Sequence, residues 1–318
     1  MDALTALLDG PRARGAFLLR SVLTPPWSLR IRDEAALAVA AVVRGEAYYV
    51  GDPDPGSGVG EVMAAGAGDV MVIRGPEPYT VAEPPGAAPQ IVIHPGQRCT
   101  TPDGVDLAEQ MHLGVRTWGT DPDGPTLILT GAYQLTGEVS RRLLTALPRV
   151  LVVHRAEWDT PLVPLLADEI AKDRPGQEAV LDRLLDLMLI TALRIWLARP
   201  GSGAPGWYRA QSDPVVGPAL QLLHHNPALP WTVAGLAAKV GVSRALLARR
   251  FGELVGEPPM AYLAGWRLAL AADLLLEPDA TLGAVARRVG YGSAFALSAA
   301  FKRVRGVSPQ AHREQCSA

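Results

Sequence analysis

The sequence predicts an α+β chain of several domains: a sheet-rich front, a helical hairpin and an all-α end. Three observations carry that prediction. Between Ala35 and about Val153 the apolar residues come in short runs, ALAVAAVV, GDVMVI, PQIVIH, TLILTG and RVLVVH, separated by Gly and Pro clusters such as GDPDPGSGVG and AEPPGAAP. That is the rhythm of an antiparallel β-sandwich or barrel. After Pro161 the apolar spacing becomes helical. Beyond Asp213 one phrase is written twice, as TVAGLAAKVGVSRALLARRF at 232–251 and as TLGAVARRVGYGSAFALSAAFKR at 281–303.

A chain of 318 residues with 48% hydrophobic composition is long enough for two cores. Its formal net charge of -2 is unevenly spread. From Asp213 onward eleven Lys and Arg face seven Asp and Glu, and before it nineteen face twenty-five. A basic tail behind an acidic front points to an anionic partner for the tail. Cys99 and Cys316 lie far apart with no paired spacing, which encodes neither a disulfide framework nor a thiol zinc site and suits a reducing cytoplasm. Asp2 and Asp9 stand where a signal peptide would be positive. The most apolar run, Leu184 to Leu197, is broken by Asp186 and Arg194 and too short for a bilayer, so it reads as a buried helix and no membrane partner is expected.

After the front, Leu162, Leu165, Leu166 and Ile170 form one helical stripe, and Val180, Leu181, Leu184, Leu185, Met188, Leu189, Ile195 and Trp196 form a longer one. Asp173 to Gly176 break them into a hairpin. The second stripe is wider than packing on one partner needs, which predicts a homodimer through it. RPGSGAPGWYRAQS, 199–212, reads as a linker. Helices are then expected near 214–225, 233–240, 243–255, 259–276, 282–289, 293–305 and from Pro309.

At an offset of 49, Thr232 falls on Thr281, Leu236 on Val285, Ala237 on Ala286 and Gly241 on Gly290. At an offset of 50, Ser243 falls on Ser293, Leu247 on Leu297, Phe251 on Phe301, Gly256 on Gly306 and Pro259 on Pro309. Each copy reads as a Thr-capped short helix, a glycine able to take positive φ, a Ser cap and a second helix held by an apolar pair: a helix-turn-helix. Ala237 and Ala286 let the two helices cross closely.

These residues, with VGEPPMAYLAGWRLALAADLL between the copies and GYGSAFALSAAFKRVRGVSPQAHR at the end, resemble the DNA-binding domain of AraC/XylS-type bacterial transcription regulators over 213–314. The resemblance implies that two helix-turn-helix units joined by a long helix place their second helices in successive major grooves of double-stranded DNA. In the first, Leu247 and Phe251 face the core, which leaves Arg244, Ala245, Leu246, Ala248 and Arg249 outward. Arg249 is the expected base contact, since a guanidinium bonds both O6 and N7 of guanine, with Arg244 and Arg250 toward phosphate. The other reading pairs Arg249 with Glu253 at i+4. In the second, the matching face shows Ala294, Phe295, Ser298 and Ala299, where this family commonly carries polar or basic groups. Phe295 either meets a thymine methyl or belongs to the core, and Lys302, Arg303 and Arg305 suit the phosphate backbone. Arg267, Arg287 and Arg288 are read as interdomain or phosphate groups.

VVRGEAYYVG and GDVMVIRGPEPYTVAEP resemble the cupin-type barrel at the front of many such regulators. Cupin enzymes hold a metal with clustered histidines, but Ala47, Tyr48, Tyr49 and Tyr79 occupy the corresponding stretches, so no cofactor and no metal chemistry are expected. His94, Cys99 and His112 fit no zinc spacing, and Cys99 is read as an inert loop thiol with redox sensing as the alternative. An effector would meet Trp27, Tyr48, Tyr49 and Tyr79.

The expected organisation is a cupin-like sensor at 1–158, a dimerising hairpin at 159–199, a linker at 200–212 and a DNA-binding domain at 213–318. The expected function is a cytoplasmic, sequence-specific transcription regulator, with RNA polymerase a further candidate partner. The alternative is a cupin-fold enzyme or ligand-binding protein with an incidental helical domain.

Overall fold

The computed structural model describes residues 17–53, 60–133, 144–199 and 204–317. They fall into two compact units, one formed by 17–133 and 147–199, the other by 144–146 and 204–317.

The first unit is built on two open sheets. Its strands are β1 (Phe17–Leu23), β2 (Trp27–Ile31), β3 (Leu37–Arg44), β4 (Glu46–Gly51), β5 (Val62–Gly66), β6 (Val70–Arg74), β7 (Tyr79–Glu83), β8 (Ile91–Ile93), β9 (Cys99–Thr100), β10 (His112–Gly114), β11 (Thr117–Gly119), β12 (Thr126–Tyr133) and β13 (Val150–Val153). One sheet runs β10-β11-β1-β12-β3-β6-β13 and the other β5-β4-β7-β2-β8-β9. The sheet region begins ahead of the expected Ala35, since FLLRSVL and WSLRI form β1 and β2. Leu23, Ala38, Val42, Met71 and Ile128 of the first sheet meet Trp27, Tyr49, Val81 and Ile93 of the second in one core.

The first sheet is covered on its other face too, by the hairpin α1 (Leu162–Ile170) and α2 (Gln177–Ala198). That explains why β3 reads LAVAAVVR without alternation: a strand buried on both faces shows a continuous apolar run. In β12 Gly131 stands beside Val39 of β3, and a Cβ there would collide with Leu185 of α2. Leu181, Leu185, Met188, Leu189, Leu193 and Trp196 are buried within the protomer. The stripe expected to carry dimerisation is therefore largely turned inward. A helix lying across a wide sheet needs more than one row of contacts, and that is what makes the stripe broad.

The second unit is all helix. Gly206–Arg209 forms α3 and a 3-10 turn follows at 210–212. Although that stretch lies in the expected linker, Ala210 and Trp207 pack into the unit's first core. Residues 200–203 of that linker lie outside the described ones. Then come α4 (Val216–His225), α5 (Val233–Lys239), α6 (Arg244–Val255), α7 (Pro259–Leu275), α8 (Leu282–Val289), α9 (Ala294–Arg305) and α10 (Pro309–Ser317). Two small cores result, one around Leu220, Leu236, Leu247 and Phe251 and one around Leu275, Val285, Leu297 and Phe301. Helix α7 serves both, with Tyr262 and Leu263 in the first and Leu268 to Leu275 in the second. Phe251 and Phe301 are each fully buried, and truncating such a side chain to Ala costs about 3–5 kcal/mol.

Candidate nucleic-acid interface

The repeated phrase folds into a repeated structure. Thr232 Oγ1 accepts the Gly235 N–H at 3.0 Å and Thr281 Oγ1 the Ala284 N–H at 3.2 Å, so one type of cap opens α5 and α8. Ser243 Oγ accepts from Leu246 at 3.2 Å and Ser293 Oγ from Ala296 at 3.1 Å, opening α6 and α9. Between them Gly241 and Gly290 take φ of 74° and 82°, the left-handed conformation that glycine adopts without strain. The two turns are not equivalent. Space around Gly241 is open, whereas a Cβ on Gly290 would lie 2.7 Å from the Cα of Ala228.

On α6, Arg244, Ala245, Ala248 and Arg249 are exposed and Leu246 is half-buried. Arg249 Nη1 lies 3.2 Å from Glu253 Oε1, and both side chains are more than half exposed. Such a pair is weak and readily exchanged. Arg250 differs: it is tied to Asp213 at 2.7 Å, and Asp213 also accepts the Val215 and Val216 N–H groups at 2.9 Å at the start of α4. Burial works to raise the Asp213 carboxyl, but the Arg250 bond and the two backbone N–H groups outweigh it and hold it below the ordinary carboxylate range.

On α9, Leu297 and Phe301 point inward while Phe295 is 84% exposed, which removes the reading of Phe295 as core. Ala294 and Ser298 are half-buried beside it and Ala299 is exposed. Lys302 and Arg303 are exposed toward the end of the helix, and the Arg305 guanidinium sits 5.2 Å from the Phe301 ring centre.

In the sheet unit, Tyr49 and Tyr79 come together with ring centres 5.6 Å apart, sealed between the sheets, and burial raises both phenols. Trp27 is fully buried and donates to Glu83 at 3.2 Å. Tyr48 faces away from these three, as the two-residue period of a strand requires, and donates to Glu46 at 2.8 Å. His94 Nε2 is bonded to Thr100 at 2.9 Å, and no group of three His, Cys, Asp or Glu gathers among the described residues. Burial, then the nearby Asp106 carboxylate, pushes the Cys99 thiol up to about 11, which favours the inert reading over redox sensing.

A cupin family profile matches residues 2–198 and a helix-turn-helix domain profile matches 236–315. An AraC-like transcription regulator of Streptomyces lividans is 32% identical over 321 aligned residues, covering 99% of this chain and 98% of that one. The chain belongs to the AraC family of transcription regulators. A Streptomyces antibioticus regulator of the same description is also 32% identical, over 99% of both chains. Among solved structures, the DNA-binding domain of AdpA in complex with a target DNA is 36% identical over 33% of this chain and 93% of that one, with a TM-score of 0.31.

This AraC-family protein is thus a DNA-binding regulator with a cupin front, and the reading as an enzyme with an incidental helical domain falls. Two arginines of the regulator act as clamps, Arg267 in place of the interdomain or phosphate role expected for it and Arg313 with no expectation attached. Arg267 donates to the Pro227 and Leu229 carbonyls at 2.6 and 2.7 Å, clamping the loop before the first helix-turn-helix. Arg313 does the same for the second, holding Leu275 O at 2.8 Å and Ala280 O at 2.6 Å. Arg267 therefore works inside its own domain, and Arg288 pairs with Glu277 at 2.9 Å. The two clamps sit out of register in the repeat, so the pairing of the two phrases does not reveal them.

Proposed function

We propose that α6 and α9 enter successive major grooves of double-stranded DNA and read its sequence there. In the first groove Arg249 exchanges Glu253 for a guanine, Ala245, Leu246 and Ala248 lie along the base edges, and Arg244 reaches phosphate. Arg250 contributes by anchoring α6 to Asp213, with its remaining donors toward the backbone. In the second groove Ala294, Phe295, Ser298 and Ala299 meet the bases while Lys302 and Arg303 hold phosphates. The exposure of Phe295 carries this reading. An aromatic ring left in water, on the face that points away from the core of a helix-turn-helix, is accounted for by a partner surface offering apolar methyl groups. Gel-shift titration against fragments selected from random DNA tests it: binding that survives a large excess of unrelated duplex is expected, and equal affinity for all duplexes would refute it.

The same reading divides the chain into a sensor at 1–158, a hairpin at 159–199, a linker at 200–212 and a DNA-binding domain at 213–318, acting in the cytoplasm. A small-molecule effector acts on the sensor, and one entering between the sheets would meet Trp27, Tyr49 and Tyr79, with Tyr48 outside. The protein pairs with a second copy through the outer side of the hairpin, where Leu165, Val180 and Leu187 are 47%, 45% and 47% exposed. RNA polymerase is a partner where the regulator activates.

A further inference from the structure

Away from the inter-sheet core, the first unit holds a cavity of about 400 Å³. Its walls are Val43 at the end of β3, Gly68 in the turn before β6, and the segment leading from β13 into α1, which supplies Arg155, Trp158, Asp159 and Val163. This volume lies in the range of small-molecule sites. Gly68 has φ of 92°, and a Cβ there would lie 2.7 Å from Arg155 Cδ, so the missing side chain makes a seat for the arginine stem. The Arg155 backbone N–H is fixed on Asp69 at 2.7 Å. Among the described residues its guanidinium takes no hydrogen bond. Trp158 is half-buried, with its indole N–H toward Val153 O at 3.4 Å.

A guanidinium recognises a carboxylate through two parallel hydrogen bonds, and an indole with aliphatic neighbours suits a flat apolar body. Asp159 on the same wall opposes a second negative charge. We propose that this cavity binds a small, flat organic acid carrying a single charge, with its carboxylate on Arg155 and its body against Trp158 and Val163. The proposal rests on the reading of the front domain as an effector sensor and gives it a site outside the sheets' shared core.

The segment that lines the cavity also holds the end of α2. Glu157, between Arg155 and Trp158, accepts from Arg199 at 2.9 and 2.6 Å, and Arg199 donates further to Val152 O at 2.7 Å. Burial works to raise the Glu157 carboxyl, but the bonds from Arg199 and the His154 N–H outweigh it and keep it below its usual range. Arg199 caps α2 just before residues 200–203, which lead to the DNA-binding unit. A ligand that repositions 155–158 therefore repositions the bonds that fix this exit. It changes DNA affinity by as much as it prefers one arrangement over the other.

The test uses the full chain, with thermal shift and tryptophan fluorescence against benzoate and 1-naphthoate, their neutral amides, and the dianion phthalate. The acids are expected to bind at least tenfold better than the amides and phthalate. Arg155→Met and Val43→Trp, each shown to melt like the wild type, should abolish binding, and Tyr79→Phe should leave it intact. Saturating acid should change the Kd for a selected DNA fragment, and Glu157→Gln should remove that change while keeping the acid bound. Failure of every acid to bind, equal binding of the amides, or binding untouched by Arg155→Met and Val43→Trp would overturn the site. Binding of the acid with no change in DNA affinity would overturn its role as a sensor while leaving the DNA reading in place.

Discussion

Arg249 has a weak partner to give up, and the expected consequence of removing it is specific to DNA. Arg249→Ala should cost about 1–3 kcal/mol on the selected site and relax preference at one base pair. Its effect on folding should be small, because the Glu253 pair is exposed. Competition gel shifts decide it, since equal loss on random duplex would make Arg249 a phosphate contact. For Phe295, replacing thymine by deoxyuridine in the second half-site removes only the C5 methyl. Each methyl buried against the ring should be worth about 0.8 kcal/mol, roughly fourfold in Kd, and the loss should vanish in Phe295→Ala. A deoxyuridine effect of the same size in both proteins would contradict the contact. Residues at this scale were legible where period alone decides: Leu247, Phe251, Leu297 and Phe301 fall inward as the i, i+4 spacing requires. Phe295 was not, because hydrophobicity alone does not say which way a helix is rotated. Nor was the tie of Arg250 to Asp213, a pairing across 37 residues that no local pattern encodes.

Among the elements, the turns separate two positions that the repeat made look alike. Any side chain at Gly241 or Gly290 meets the strain of positive φ, about 1–2 kcal/mol for Ala, but only Gly290 also faces backbone at 2.7 Å. Gly290→Ala should therefore destabilise the helical unit clearly more than Gly241→Ala in denaturant titrations. Equal losses would mean that the second turn does not press on the loop at Ala228. A second element-scale prediction concerns acid. The Asp213 carboxyl titrates lower in the folded protein than in the unfolded chain, so its stabilising contribution is present above the ordinary carboxylate value and fades as pH falls below about 4. Asp213→Asn should be less stable than the wild type at pH 6, and the gap should narrow at pH 3. A gap that stays constant would remove the Asp213–Arg250 tie from the stability of α4 and α6. Helix positions were legible here because Thr and Ser caps and Gly turns are local signals. Strands β1 and β2 do not stand out in the sequence because FLLRSVL and WSLRI each carry an arginine, and the Pro25-Pro26 pair between them cuts the apolar run short.

For the whole molecule, the order of a sheet unit, a hairpin and a doubled helix-turn-helix could be read from changes of period along the chain. What the hairpin packs on could not. A stripe of leucines looks the same whether it meets a second copy or the back of its own sheet, and Gly131, which makes room for Leu185, is distant in sequence. The doubled motif implies one recognition helix per groove, and this is most directly open to measurement by hydroxyl-radical footprinting of the full-length protein on a selected site. Two protected patches per protomer on one face of the duplex, centred about one helical turn apart, are predicted, with the second patch fading in Phe295→Ala while the first remains. A single patch per protomer, or a second patch indifferent to α9, would contradict the use of both helices.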